Sequence, residues 1–128
     1  MDAATAATLS RGGTADITTT GAKTGTPHRI EIWFHHHQGG HYIGGRPGKR
    51  DWLANMIRYP DFTLHLKEGV HADLPVTASV ITDADVRRAV SYQILTERLG
   101  TQPDEAEAEL DRWVSDSPLV RFFLPPLA

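Results

Sequence analysis

Between Arg29 and His36 the chain reads Arg-Ile-Glu-Ile-Trp-Phe-His-His, with apolar residues returning at every second position. Ile30, Ile32 and Phe34 fall on one side of an extended segment, and Arg29, Glu31, Trp33 and His35 on the other. That period fits a strand with one face toward a core and does not fit a helix. Gln38-Gly39-Gly40 follows at once and His41 to Gly45 resumes, the pattern of a hairpin and its return strand. Upstream, Asp16 to Thr20 is rich in β-branched residues and reads as a strand. Gly21 to Pro27, with two glycines and a proline, reads as a turn. An antiparallel meander is therefore in place before the first long helical pattern.

The period changes between Gly48 and Tyr59, where Trp52, Leu53, Met56 and Ile57 recur at helical spacing and Tyr59-Pro60 ends the element. Phe62, Leu64 and Leu66 alternate again. His71 to Ile81 is another strand, in which Pro75 implies an edge or a bulge. Thr82-Asp-Ala-Asp85 resembles a capping box opening a helix through Val86, Val90, Ile94 and Leu99, stopped at Gly100. Pro103 opens a second helix with Ala106, Leu110, Trp113 and Val114 on one face, and Leu119 to Leu124 is a last strand. Residues up to about Gly13 read as a loose N-terminal arm or a short helix. The order is βββ-α-ββ-αα-β with no βαβ alternation. It predicts a single mainly β (α+β) domain over residues 1–128, an antiparallel barrel with three flanking helices.

A chain of 128 residues with 40% hydrophobic and 23% charged residues is long enough for one core. Its formal net charge of −3 argues against general nucleic-acid binding, which needs a basic excess. The absence of cysteine excludes disulfides, iron–sulfur clusters and thiol catalysis. Met1-Asp-Ala-Ala-Thr-Ala-Ala has neither a basic nor an apolar leader region, and no apolar run approaches the roughly 20 residues of a membrane span. A cytoplasmic location without stable membrane insertion is expected.

Two stretches carry glycines and cations at the ends of extended segments. The first, Thr18 to Arg29, contains Gly21, Lys23, Thr24, Gly25, Pro27 and His28. The second is Gly44-Gly45-Arg46-Pro47-Gly48-Lys49-Arg50-Asp51-Trp52. Bare backbone N–H groups with fixed positive charge are what an anionic ligand needs. Taken alone, the first stretch is also a Gly-rich turn with a surface lysine, and it lacks the ending of a Walker loop. The second says more, because Arg46, Lys49 and Arg50 crowd the start of a helix, where the macrodipole already disfavours cations. An anion to bind would explain them; a solvated basic turn is the plain alternative. His35-His36-His37 with His41 invites a metal, but alternation splits consecutive histidines between faces. His35, His37 and His41 would have to meet across the hairpin with no acid or cysteine nearby, so no metal site is assigned. No nucleophile–base pair stands out and no catalytic residue is assigned. A cofactor would carry the chemistry.

At these residues the chain resembles the nitroreductase-family deazaflavin-dependent oxidoreductases, small split-barrel proteins. Thr19, Thr20, Gly21, Lys23, Thr24, Gly25 and Pro27 match the threonine, glycine, lysine and proline positions of their first motif. Trp52, Asn55 and Pro60 match the Trp-x-x-Asn-Leu-x-x-x-Pro helix that follows their cofactor loop. The resemblance runs from about Asp16 to Leu66 and more loosely beyond. It implies a split β-barrel of the FMN-binding type that binds reduced coenzyme F-420, whose tail is a string of negative charges. Hydride would pass to an electron-poor acceptor such as a quinone, nitro compound or activated alkene. Lys23, Arg29, Arg46, Lys49 and Arg50 would hold the tail, with His28 in the place of a tail-facing arginine. Gly44, Gly45, Pro47 and Gly48 would let backbone approach, Trp33 and Trp52 would border the ring or pocket, and Thr24, Gly25 and Asn55 complete the cofactor-binding set. The chain departs from the family at His28, which stands where the family has arginine, and on the C-terminal helix, where Trp113 is the aromatic in place of a tyrosine. FMN or FAD in the same barrel, and a non-enzymatic carrier or sensor of deazaflavin, flavin or haem, are the alternatives. The partner expected is a small-molecule electron acceptor, with a homodimer open to the chain.

Overall fold

The computed structural model describes residues 1–125. Six antiparallel strands, β1 (Gly13–Thr20), β2 (Pro27–His37), β3 (Gly40–Gly44), β4 (Asp61–Leu66), β5 (Ala72–Val80) and β6 (Leu119–Phe123), close into a barrel in the order β1-β2-β3-β6-β5-β4. Around it lie α1 (Ala3–Arg11), α2 (Asp51–Arg58), α3 (Ala84–Gln93) continued by a π-helical turn at Ile94–Arg98, and α4 (Pro103–Asp116). The barrel agrees with the sequence pattern, but four helices flank it in place of three. The additional one is α1, the short helix that the sequence offered as an alternative to a loose arm. Asp2 caps it by accepting from Thr5 N at 2.7 Å, and Leu9, 1% exposed, anchors it in the barrel core. A single apolar anchor in an alanine- and threonine-rich run leaves almost no periodic signal.

Alternate residues of every strand fill the barrel: Ala15 and Ile17, Ile32 and Phe34, Ile43, Phe62, Leu64 and Leu66, Val76, Val120 and Phe122, with Trp52 and Met56 of α2 joining them. A second core lies outside the barrel wall, where Val90, Ile94, Leu95, Ala106, Leu110 and Trp113 pack over Tyr42 and Leu119. Trp113 is 3% exposed there and borders no groove described below. The cap of α3 is Asp83, which accepts from Asp85 N and Val86 N, and Thr82 is not the capping residue. Pro75 sits opposite Thr63 of β4, beyond the Thr77–Val80 ladder to β6, so its missing N–H breaks no pairing on that side. No helix among the described residues is long and apolar enough to cross a membrane.

One detail of pairing positions the site. β2 pairs with β1 from Pro27 to Phe34, but with β3 only from Phe34 to His37. Along residues 27–33 the other edge of β2 has no strand beside it, and the barrel wall is split there. The outward face of the same wall is closed by charge. Arg29 Nε lies 3.1 Å from Asp16, and Lys67 donates to Asp16 at 2.7 Å and also to Glu31. His65 bridges Thr18 at 2.7 Å and Asp73 at 2.6 Å, tying β1, β4 and β5 together.

Candidate functional site

A groove follows the free edge of β2. In one half, of about 310 Å³, Ile30, Glu31, Ile32 and Trp33 face Gly44, Gly45 and Arg46 beyond β3, and Arg50 and Trp52 at the start of α2. The other half, of about 370 Å³, is lined by Thr19, Gly21, Ala22, Lys23, Thr24, His28, Asp51, Ala54 and Asn55. Ile30 and Trp52 line both, so the two halves adjoin at these side chains. The two motifs read from the sequence thus border neighbouring halves of the same edge.

Each wall is held by identifiable contacts. The β1–β2 turn closes on itself, with Gly21 N donating to Thr26 O and Gly25 N to Gly21 O, both at 2.8 Å. Gly25 has φ +70°, a conformation that favours glycine. Asn55 then clamps the turn to α2: its Oδ1 accepts from Ala22 N at 2.9 Å and its Nδ2 donates to Thr19 Oγ1 at 3.0 Å. Both ends of this buried amide are therefore spent on the fold. His28 folds over Gly21, its Nε2 3.4 Å from the hydroxyls of Thr24 and Thr26. A Cβ on Gly21 would stand 2.7 Å from that nitrogen.

On the opposite wall the loop after β3 is pinned by Gly45 N to Pro118 O at 3.3 Å and Gly48 N to Asp116 O at 3.0 Å. Arg50 wraps back to donate to Arg46 O at 3.0 Å and Lys49 O at 3.1 Å. The helix expected from Gly48 begins at Asp51, so Arg46 and Lys49 stand in the loop and Arg50 is the N-cap residue, without a side-chain cap. Neither Asp51 nor Glu31 pairs with Arg50. Among the described residues, none of Lys23, Arg46 and Arg50 lies within ion-pair distance of a carboxylate.

Ten residues singled out from the sequence line the groove: Lys23, Thr24, His28, Trp33, Gly44, Gly45, Arg46, Arg50, Trp52 and Asn55. Five do not. Gly25 is at the tip of its turn, and Arg29 is paired with Asp16 on the outer face. Pro47, Gly48 and Lys49 border a separate cleft against the end of α4. Gly44 also has a packing reason to be glycine: a Cβ there would lie 3.0 Å from Leu119 and 3.2 Å from Ile94 in the second core. Sequence reasoning missed Ile30 and Ile32 as groove residues. Ile30 shares the inward period with Phe34, yet it is 40% exposed because no strand covers it. The only signal was the change of element after Gly45, which leaves β2 longer than its partner.

The histidines divide between faces in a way alternation alone did not fix. The hairpin register pairs His36 with His41, their ring centroids 5.2 Å apart, and leaves His35 and His37 on the opposite face. His35, His37 and His41 therefore do not converge, and no metal-holding group of three or more ligands occurs among the described residues. Burial, and secondarily the Arg98 charge, push His35 down to about 4.

No protein-family model and no curated protein matches the chain. Among solved structures, a conserved hypothetical protein from Mycobacterium tuberculosis is 21% identical, with TM-score 0.73 over 98% of this chain and 82% of that one. An F-420 reductase is 16% identical, with TM-score 0.58 over 92% of this chain and 90% of that one. The haem storage protein HutZ of Vibrio cholerae is 14% identical, with TM-score 0.57 over 90% of this chain and 82% of that one. At these identities the likeness is one of fold, and the fold is the split barrel.

Proposed function

We propose that the groove binds coenzyme F-420 and that the chain is an oxidoreductase acting on an electron-poor acceptor such as a quinone, nitro compound or activated alkene. The observation that carries the reading is the set of cations Lys23, Arg46 and Arg50, without an ion-pair partner among the described residues, arranged along a slot walled by Ile30, Ile32, Trp33 and Trp52. An apolar slot with a positive rim fits a flat heteroaromatic ring bearing a polyanionic tail. When bound, the reduced deazaflavin supplies hydride. Trp52 and the two isoleucines exclude water from the ring, and Trp33 closes the end of the slot. Lys23, Arg46 and Arg50 hold the tail, and His28 takes the place of the family's arginine. Of the acids along the groove, Glu31 is paired with Lys67 and Asp51 is exposed. The acceptor's proton comes from solvent.

The likeness to the F-420 reductase supports this reading, and the likeness to HutZ favours a haem carrier as its rival. Titration of the purified protein with F-420, FMN, FAD and haemin, followed by quenching of tryptophan fluorescence, separates them, because Trp33 and Trp52 line the slot. Saturable quenching by F-420 at the lowest concentration is expected. Tighter binding of FMN, or a haem absorbance band that survives gel filtration, overturns the assignment.

A further inference from the structure

We propose that a second cleft, between the end of α1, strand β2 and the π-helical turn, binds a small oxyanion: a carboxylate or phosphate carried by a compact molecule. The cleft encloses about 200 Å³, and Arg11, Gly12, His35, Gln93, Glu97 and Arg98 are among its lining residues. It does not depend on the deazaflavin reading. Arg98 lies 4.7 Å over the ring of Trp33, which lines the main groove, so this stacked pair stands between the two cavities.

Four independent features converge there. His35 is 7% exposed, and its Nε2 is buried with no hydrogen-bond partner among the described residues. Such a nitrogen is costly unless something completes it. Arg11 and Arg98 donate only to hydroxyls, Thr8 at 3.1 Å and Thr14 at 2.8 Å, and neither has a carboxylate within ion-pair distance among the described residues. Gly12, at φ +71°, presses its backbone against β2 so closely that a Cβ would stand 2.9 Å from Phe34 O, and it leaves the rim bare. The π-helical turn widens α3 at this place, with Leu99 N donating to Ile94 O at 3.0 Å. Arg98, the last residue of that turn, reaches across to Thr14 of β1 and stacks on Trp33 of β2.

The chemistry of the lining selects the ligand. Two guanidinium groups beside one carboxylate, that of Glu97, repel a metal ion and attract an anion. A net single positive charge and about 200 Å³ suit one small oxyanion rather than a nucleotide or a polymer. Burial keeps the His35 ring neutral at pH 7, and as the Nε2–H tautomer it would donate its single N–H to such a group. Gln93 is committed elsewhere, to His36 O at 2.8 Å and His37 Nδ1 at 2.6 Å, and fixes the wall rather than the ligand.

The test uses the cofactor-free protein, labelled with nitrogen-15 and titrated with inorganic phosphate and with acetate at constant ionic strength, chloride making up the balance. Saturable shifts of the His35 ring and Arg98 side-chain signals are expected at millimolar concentrations. The tighter of the two probes identifies the oxyanion as phosphate or carboxylate. Arg98→Ala and Arg11→Gln should each weaken the response at least about fivefold. Among the described residues Arg11 donates to Thr8 alone, so the second variant remains readable if the first disturbs Trp33. Shifts that never saturate, that chloride reproduces, that map to Lys23 and Arg50 instead, or that survive Arg11→Gln unchanged overturn the proposal.

Discussion

Lys23 and Arg29 belong to the same glycine-rich motif, yet the structure gives them opposite surroundings. Lys23 lines the groove with no carboxylate partner among the described residues, while Arg29 spends its guanidinium on Asp16 on the outer face. Lys23→Ala should therefore weaken F-420 binding about ten- to hundredfold, the scale of one charge-assisted hydrogen bond. Arg29→Ala should change it by less than about threefold. Fluorescence titration of the two variants decides the matter, and the reverse order would remove Lys23 from the site. His35 yields a prediction of another kind. Its folded value of about 4 lies below the ordinary 6.5, first because of burial and then because of Arg98. Below pH 6.5 the unfolded chain takes up a proton that the folded chain refuses, so stability falls as pH drops from about 6.5 toward 4. The full effect is about 3 kcal/mol, an order-of-magnitude figure. Urea denaturation at pH 7.5 and pH 5 should show a smaller loss for His35→Leu than for wild type. Equal losses in the two proteins would mean that other groups carry the acid sensitivity.

Helix α2 is the element on which the groove depends, and Asn55 is what fixes it to the β1–β2 turn. Removing this amide leaves Ala22 N without an acceptor and Thr19 Oγ1 without a donor, in a place where Thr19 is 2% exposed. Asn55→Ala should destabilise the cofactor-free protein by about 2 kcal/mol, since each orphaned group costs roughly 1–3 kcal/mol less whatever water recovers. Unchanged urea stability in that variant would return Asn55 to the role of a ligand residue. The contrast shows what sequence can reveal at this scale. Period-two alternation declared β2 and its hairpin, and period 3.6 with Pro103 declared α4, because those signals are local. The double bond of Asn55 joins residues 33 and 36 positions apart, which no periodicity records. The π-helical turn at Ile94–Arg98 reads as plain helix in the sequence, since its apolar spacing hardly differs from that of an α-helix. The facing of the four hairpin histidines depended on a register that only the closed turn at Gly39 settles. The motifs were visible as motifs, but the partners that make Lys23 available and Arg29 unavailable were not.

Over the whole molecule, charge is separated as the fold is. The chain carries a net −3, and α4 alone bears Asp104, Glu105, Glu107, Glu109, Asp111 and Asp116, whereas Lys23, Arg46 and Arg50 converge on the split in the barrel wall. A polyanion approaching the protein meets repulsion from the acidic helix and attraction in the groove, and distance decides between them. Contacts within the groove are a few ångströms long, while the acidic helix packs in the second core and lines neither half of the groove. The Debye length is about 30 Å at 0.01 M salt, so both fields act there. At about 8 Å near physiological salt, the contact charges dominate, and at about 3 Å in 1 M salt even these are weakened. F-420 affinity should thus fall monotonically from physiological to high salt, by about tenfold or more. FMN, with a single phosphate, should show a shallower slope in the same protein. Lys23→Ala should flatten the slope for F-420 and leave that for FMN less altered, because removing one cation removes one screened contact with the longer tail. Titrations of both cofactors at three salt concentrations read all of this in one experiment. An F-420 affinity that is flat between 0.15 M and 1 M salt would mean that the ring, and not the tail, is what the groove recognises.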